Sequence, residues 1–229
     1  MGNCVPGGDH LHQILILGLS GSGKTTLLYK LKIPGWAEQD IAQKIPTPTK
    51  GYHYEEFNKR GMRFGMWDVP GADAMQALWP AFYRYIKVSA VIFVVSMVEM
   101  NPKKIRQAGE HIRILVHEDE LREAAFCVLM NTFGRPMMPG AGQHSTVAFQ
   151  STLSLSQAPA SLAVGQPVPT IEEMAAKLGL HNLPRSVQMR LKCFAMDVKK
   201  GDGDEEWPKA LAWLQERIFA IQKQAQAAD

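Results

Sequence analysis

Gln13-Ile-Leu-Ile-Leu-Gly-Leu-Ser-Gly-Ser-Gly-Lys-Thr25 decides the reading of this chain. Its first half is a nearly continuous apolar run ending at a glycine, the pattern of a strand buried on both faces of a parallel sheet. Its second half, Gly18 to Thr25, satisfies G-x-x-x-x-G-K-[ST]. Thr25-Thr-Leu-Leu-Tyr-Lys-Leu31 follows as a helical stretch reaching Pro34, so the motif stands between a strand and a helix. That setting has a physical use. Glycines let successive backbone N–H groups curl around an anion, and the start of the next helix adds partial positive charge. Lys24 is expected to reach the β- and γ-phosphates as a point charge, and the Thr25 hydroxyl to ligate Mg²⁺. The expected phosphate-binding residues are Gly18, Leu19, Ser20, Gly21, Ser22, Gly23, Lys24, Thr25 and Thr26. The motif defines a P-loop nucleoside triphosphate protein and does not say which branch.

The rest of the chain keeps the same rhythm. Tyr52 to Asn58 and Met62 to Val69 read as an extended pair joined by Lys59-Arg60-Gly61. Ala90 to Val95, Ala124 to Met130 and Leu191 to Met196 read as further buried strands. Ile105, Ala108, Ile112 and Leu115 mark one face of a helix, as do Leu211, Leu214, Ile218 and Ile221. Strands alternating with helices predict an α/β fold with a mostly parallel central sheet and helices on both faces. The stretch from about 137 to 168 shifts to Ser, Ala, Gly, Gln and Pro without a period and is read as a flexible insertion.

Composition excludes several classes. The chain has 229 residues, 46% of them apolar, enough for a full core without disulfides. A net charge of +3 from 25 basic and 22 acidic residues gives no bulk electrostatic argument for nucleic acid. The three cysteines are odd in number and widely spaced; Cys127 and Cys193 lie in apolar runs and read as buried and reduced, favouring a cytoplasmic setting. Val88 to Val98 is too short to span a bilayer, and residues 1–11 hold no hydrophobic signal run.

Three further segments carry a resemblance. Pro48-Thr-Lys-Gly-Tyr52, Met66-Trp-Asp-Val-Pro-Gly71 and the Leu78-Trp79 pair resemble the two switch segments of Arf-like small GTPases (the ADP-ribosylation factor family). Asp119 to Glu123 and Leu178 to His181 are also similar to stretches of that family. The resemblance implies a P-loop small-GTPase fold spanning residues 13–229 after an N-terminal tail at 1–12. It implies GTP or GDP and Mg²⁺ as cofactors and effector proteins docking around residues 45–55 and 68–83. An exchange factor, a GTPase-activating protein and a role in vesicle trafficking also follow from it. Carried over by position, Thr49 becomes the γ-phosphate-sensing magnesium ligand, with Thr47 as the second candidate. Asp68 holds magnesium through water, and the Gly71 N–H touches the γ-phosphate.

The family pattern breaks at both working ends. The second switch should continue Gly-Gly-Gln, the glutamine orienting the attacking water. Here Pro70, Gly71 and Ala72 stand there, and a methyl group neither donates nor accepts a hydrogen bond, so slow hydrolysis is expected. At the base end the family places Asn-Lys-x-Asp, whose aspartate reads the guanine edge; here Asn131, Thr132, Phe133 and Gly134 align, and only the asparagine survives. Ala195 aligns with the alanine whose backbone N–H meets the guanine carbonyl, and reads equally as a core alanine at a strand end. Phe133 reads as packing on the insertion, with stacking on a base as the alternative. Ser20 stands where relatives carry aspartate and is assigned no role.

Met1-Gly2-Asn3-Cys4 resembles an acylated start, with myristate on Gly2 and palmitate on Cys4, although Pro6 replaces the Ser or Thr of the consensus. Such anchoring would place the protein peripherally on a cytosolic membrane face. Pro6-Gly7-Gly8 is unsuited to an amphipathic helix. Three readings stay open from sequence: a slowly hydrolysing GTP switch, a pseudo-GTPase interaction module, and an ATP-using P-loop enzyme with a relaxed base site.

Overall fold

Every apolar run named above becomes a strand in the computed structural model of the protein, which describes residues 10–33, 51–138, 163 and 166–226. The strands are β1 Leu11–Leu17, β2 His53–Lys59, β3 Met62–Asp68, β4 Val88–Ser96, β5 Ala125–Asn131 and β6 Leu191–Met196. They form one sheet in the order β2-β3-β1-β4-β5-β6. Only β2 and β3 pair antiparallel. Their hairpin turns at Arg60 and Gly61, with φ of 51° and 77°. Two positive φ values in a two-residue loop match the strand twist, and Gly61 takes its place at no steric cost.

The helices are α1 Lys24–Lys32, α2 Asp73–Gln76, α3 Trp79–Tyr85, α4 Pro102–Leu115, α5 Ile171–Lys177, α6 Arg185–Gln188 and α7 Glu206–Gln226. Local chemistry starts two of them. The Asn101 side chain accepts from the Lys103 N–H, with Pro102 at the first helical position of α4. Thr170 and Glu173 form a reciprocal capping box at α5.

Alternation along the central strands divides the core in two. Leu15, Leu17, Val91, Phe93, Val95 and Phe126 face α3, α4 and α5. Ile14, Ile16, Ala90, Ile92, Val94 and Cys127 face α1 and α7, including Trp207, Leu211, Leu214 and Ile218. Both faces are therefore covered, as the buried parallel strands require. Arg190 closes one end: its Nη1 donates to the carbonyls of Leu121 and Ala124 at 2.9 and 3.0 Å, and its guanidinium lies 4.9 Å from the Phe126 ring centroid.

Two boundaries differ from the sequence reading. The domain begins before residue 13: Leu11 pairs with Arg63 in β1, and His12 is buried. Backbone pairing extends the strand through polar positions that an apolar pattern skips. The 137–168 stretch is anchored at both ends, because Met137 and Val168 form a parallel bridge and Val168 lies in the core. Residues 139–162 of it lie outside the described residues. So do Gly2, Cys4, Thr47 and Thr49.

Candidate functional site

The carboxyl ends of β1 and β3 and the start of α1 meet at one point, and the phosphate-end residues gather there. Gly18 has φ +138°, and a Cβ on it would lie 2.3 Å from the Val94 carbonyl oxygen, so both conformation and space demand glycine. From Gly18 the chain curls through Leu19 to Gly23 and enters α1 at Lys24. The first amides of a helix have no acceptor within it, so they remain available to an anion. Thr26 lies in the first turn of α1, and Ser20 is exposed on the loop.

Lys24 folds back over this loop, its Nζ donating to the Leu19 carbonyl at 2.9 Å. Burial lowers its pKa to about 8 against the opposing pull of the Asp68 charge. The Thr25 hydroxyl donates to Asp68 Oδ2 at 2.5 Å. Asp68 is fully buried at the end of β3, and its Oδ1 has no hydrogen-bond partner among the described residues. The Ser22 hydroxyl is likewise buried without one. Orphaned buried oxygens of this kind ask for a partner, and an ion or an ordered water would supply one. Gly71 completes the cluster: a Cβ there would lie 2.1 Å from the Gly18 carbonyl oxygen and 2.5 Å from Lys24 Nζ. The second switch thus lies directly on the phosphate loop.

Ala72 caps α2 with extended backbone, and its carbonyl accepts from the Met75 and Gln76 amides at 2.8 and 3.1 Å. Pro70 is buried, its carbonyl accepting from Trp79 Nε1 at 2.9 Å. This bond ties the segment after β3 to α3.

At the base end Asn131 is fully buried and joins three segments. Its Nδ2 donates to the Ser22 carbonyl at 2.9 Å; its Oδ1 accepts from the Phe133 amide at 3.1 Å and the Val198 amide at 3.4 Å. Ala195 does not join this group through its side chain. It lies inside β6 opposite Met130 and belongs to the core. The loop that follows β6 brings the Val198 amide to Asn131. Phe133 takes a positive φ of 53°, and Gly134 follows at 74°.

Three features had no sequence signal. His53 Nδ1 lies 3.2 Å from Asp68 Oδ2, and that hydrogen bond raises the imidazole pKa against the effect of burial. Tyr52, Trp67 and Phe82 cluster between the two switches, Tyr52 having ring-centroid separations of 5.5 Å to Trp67 and 5.7 Å to Phe82. Asp197, just past β6, faces Gly134. Each contact joins different elements, and only folding creates it.

A phosphate loop between β1 and α1, a carboxylate at the end of β3 and a paired asparagine at the end of β5 define a P-loop nucleotide-binding protein. The profile of the ADP-ribosylation factor family matches residues 5–158, and the chain belongs to that family of small GTP-binding proteins. It is similar to ADP-ribosylation factor-like protein 1 of Saccharomyces cerevisiae, 32% identical over 142 residues, covering 62% of this chain and 69% of the yeast protein. Its fold is similar to that of the Arl6 BBS3 small GTPase of Trypanosoma brucei with a bound nucleotide analogue, GppNp. The TM-score is 0.63 at 22% identity, over 93% of this chain and 99% of the other. Among the described residues no helix is long and apolar enough to cross a membrane.

Proposed function

We propose that this chain is a guanine-nucleotide switch of intracellular membrane trafficking that holds GTP with Mg²⁺ and hydrolyses it slowly. The observation that carries the reading is the convergence of Lys24, Thr25, Asp68 and Gly71 around the loop between β1 and α1. The donor set suits a hard dication: a threonine hydroxyl beside a buried carboxylate with a spare oxygen. Thr25 would hold Mg²⁺ directly and Asp68 through water, with Thr49 or Thr47 supplying the nucleotide-dependent contact. When bound, the ion neutralises the charge on the β- and γ-phosphate oxygens. Lys24 contributes a second cation, and the loop amides orient the phosphates.

Slow turnover follows from Ala72, which offers no side-chain polar group to a water molecule. The aromatic trio Tyr52, Trp67 and Phe82 supports effector docking, since Tyr52 is 57% exposed and all three lie next to segments that respond to the γ-phosphate. Acylation at Gly2 or Cys4 would supply peripheral attachment to the cytosolic face of a membrane. Exchange and GTPase-activating factors would act on the same switch surface.

A second reading is favoured by one specific feature. Gly134 lacks the side chain that would read the base, and a module that never cycles would tolerate this. Binding of GTP, GDP, ATP and ADP, measured side by side with and without Mg²⁺ and alongside single-turnover hydrolysis, separates the readings. The switch reading expects Mg²⁺-dependent guanine nucleotide binding with slow but measurable turnover. Absence of binding to any of the four nucleotides would leave only the interaction module, and tighter binding of ATP than GTP would point to an adenine-nucleotide enzyme.

A further inference from the structure

The carboxylate missing at Gly134 stands beside it on another loop. Asp197 places Oδ2 3.1 Å, and Cγ 3.8 Å, from the point where a Cβ on Gly134 would lie. Its conformation is held on three sides. The Asp197 amide donates to Asp204 Oδ2 at 3.0 Å, its Oδ1 accepts from the Lys199 amide at 3.1 Å, and its carbonyl accepts from the Lys200 amide at 3.0 Å. Asp204 is itself fixed, its other oxygen accepting from the Glu206 amide at the start of α7, at 3.0 Å. Among the described residues Asp197 Oδ2 accepts no hydrogen bond.

This loop is tied to the phosphate end. Val198 donates to Asn131, and Asn131 donates to the Ser22 carbonyl. A Cβ on Gly23 would meet Val198 Cγ2 at 2.9 Å. Asp197 is therefore a half-buried acid with one spare oxygen, on the same rigid group of loops that cradles the phosphates. Position 134, which would ordinarily carry the acid, has no side chain to compete for that space. An aspartate at both positions would bring like charges together, which disfavours ionisation of both.

We propose that Asp197 selects guanine, its Oδ2 accepting from the N1–H and 2-amino groups of the base in place of an acid at position 134. The proposal rests on the guanine-nucleotide reading above. Guanine presents two adjacent donors on this edge, which one carboxylate matches with charge-assisted bonds. Adenine presents an acceptor at N1, which a carboxylate repels. Discrimination is strong when the unmatched polar group is left buried and unpaired.

The test uses the full chain freed of nucleotide and competition against a fluorescent guanine nucleotide with Mg²⁺, for the parent, Asp197→Asn and Asp197→Ser. Competitors are GTP, ITP (which lacks the 2-amino group), XTP (which carries a carbonyl there) and ATP. The parent is expected to prefer GTP to the other three. In Asp197→Asn the amide donor replaces Oδ2, so GTP affinity falls roughly 100-fold and XTP becomes preferred. Asp197→Ser retains an acceptor for the Lys199 amide and is expected to lose the preference for GTP over ITP. Melting curves check that each variant is folded; should the asparagine variant not melt cooperatively, the serine variant decides. Variants that keep the parent's GTP affinity and base preference overturn the role of Asp197 alone. A parent that binds no guanine nucleotide overturns the reading beneath it as well.

Discussion

Thr25 and Asp68 are joined by a hydrogen bond from the threonine Oγ1 to the carboxylate Oδ2 at 2.5 Å, linking the first turn of α1 to the end of β3. Asp68 is fully buried, and its other oxygen has no partner among the described residues. A buried ionised group is costly unless compensated, and a bound cation would compensate it here alongside the Thr25 and His53 contacts. Asp68→Ala is expected to abolish the rise in melting temperature that Mg²⁺ adds to GTP-bound protein over GTP with EDTA. Thr25→Ala should reduce it. Equal thermal shifts in parent and Asp68→Ala would remove the magnesium assignment.

Hydrolysis should respond to one side chain in the second switch. Ala72 lies next to Gly71, which packs on the phosphate loop, and its backbone is the extended cap of α2. Ala72→Gln adds a donor and acceptor where the attacking water would be oriented. The single-turnover rate is expected to rise at least about tenfold, equivalent to roughly 1.4 kcal/mol of barrier. An unchanged rate would mean that Ala72 does not limit turnover.

The internal thiols should be inert in the folded protein. Burial pushes the Cys193 thiol up to about 11, with the Glu172 charge adding to it. Burial raises Cys127 further still, with a contribution from Cys193. A thiol with pKa near 11 is about one part in a thousand thiolate at pH 8. In a Cys4→Ser background a disulfide-exchange reagent should therefore label neither cysteine within minutes at pH 8, and both on unfolding. Rapid labelling of the native protein would contradict the burial of Cys127 and the partial burial of Cys193.

Arg190 is expected to be a stability residue with no direct part in the site. It binds the carbonyls of Leu121, Ala124 and Val116 and covers the Phe126 ring. Arg190→Met removes those three hydrogen bonds and should cost about 2–4 kcal/mol, read as a lower denaturant midpoint. Affinity for GTP in the folded variant should be unchanged. A midpoint equal to the parent's would show that water replaces the guanidinium at no cost.

What the chain declares by itself is local. The phosphate loop is eight consecutive residues whose function depends on backbone curvature, so Gly18 to Thr25 is legible wherever a strand precedes it and a helix follows. The Trp67-Asp68 segment and the apolar strands are legible for the same reason: periodicity and short-range spacing encode them. The loss at Ala72 and Gly134 was equally visible, as absent chemistry at positions that a motif aligns. The base end as a whole was not, because it is assembled from loops whose relative placement is set by strand register. The register of β5 with β6 sets Asn131 opposite Met196, and the loop that follows brings the Val198 amide to the asparagine side chain. The contacts of His53 with Asp68 and of Asp197 with Gly134 exist only once separate strands are paired and their ends aligned. A carboxylate acts through where its oxygens lie, not through its position along the chain, and that placement belongs to the tertiary structure.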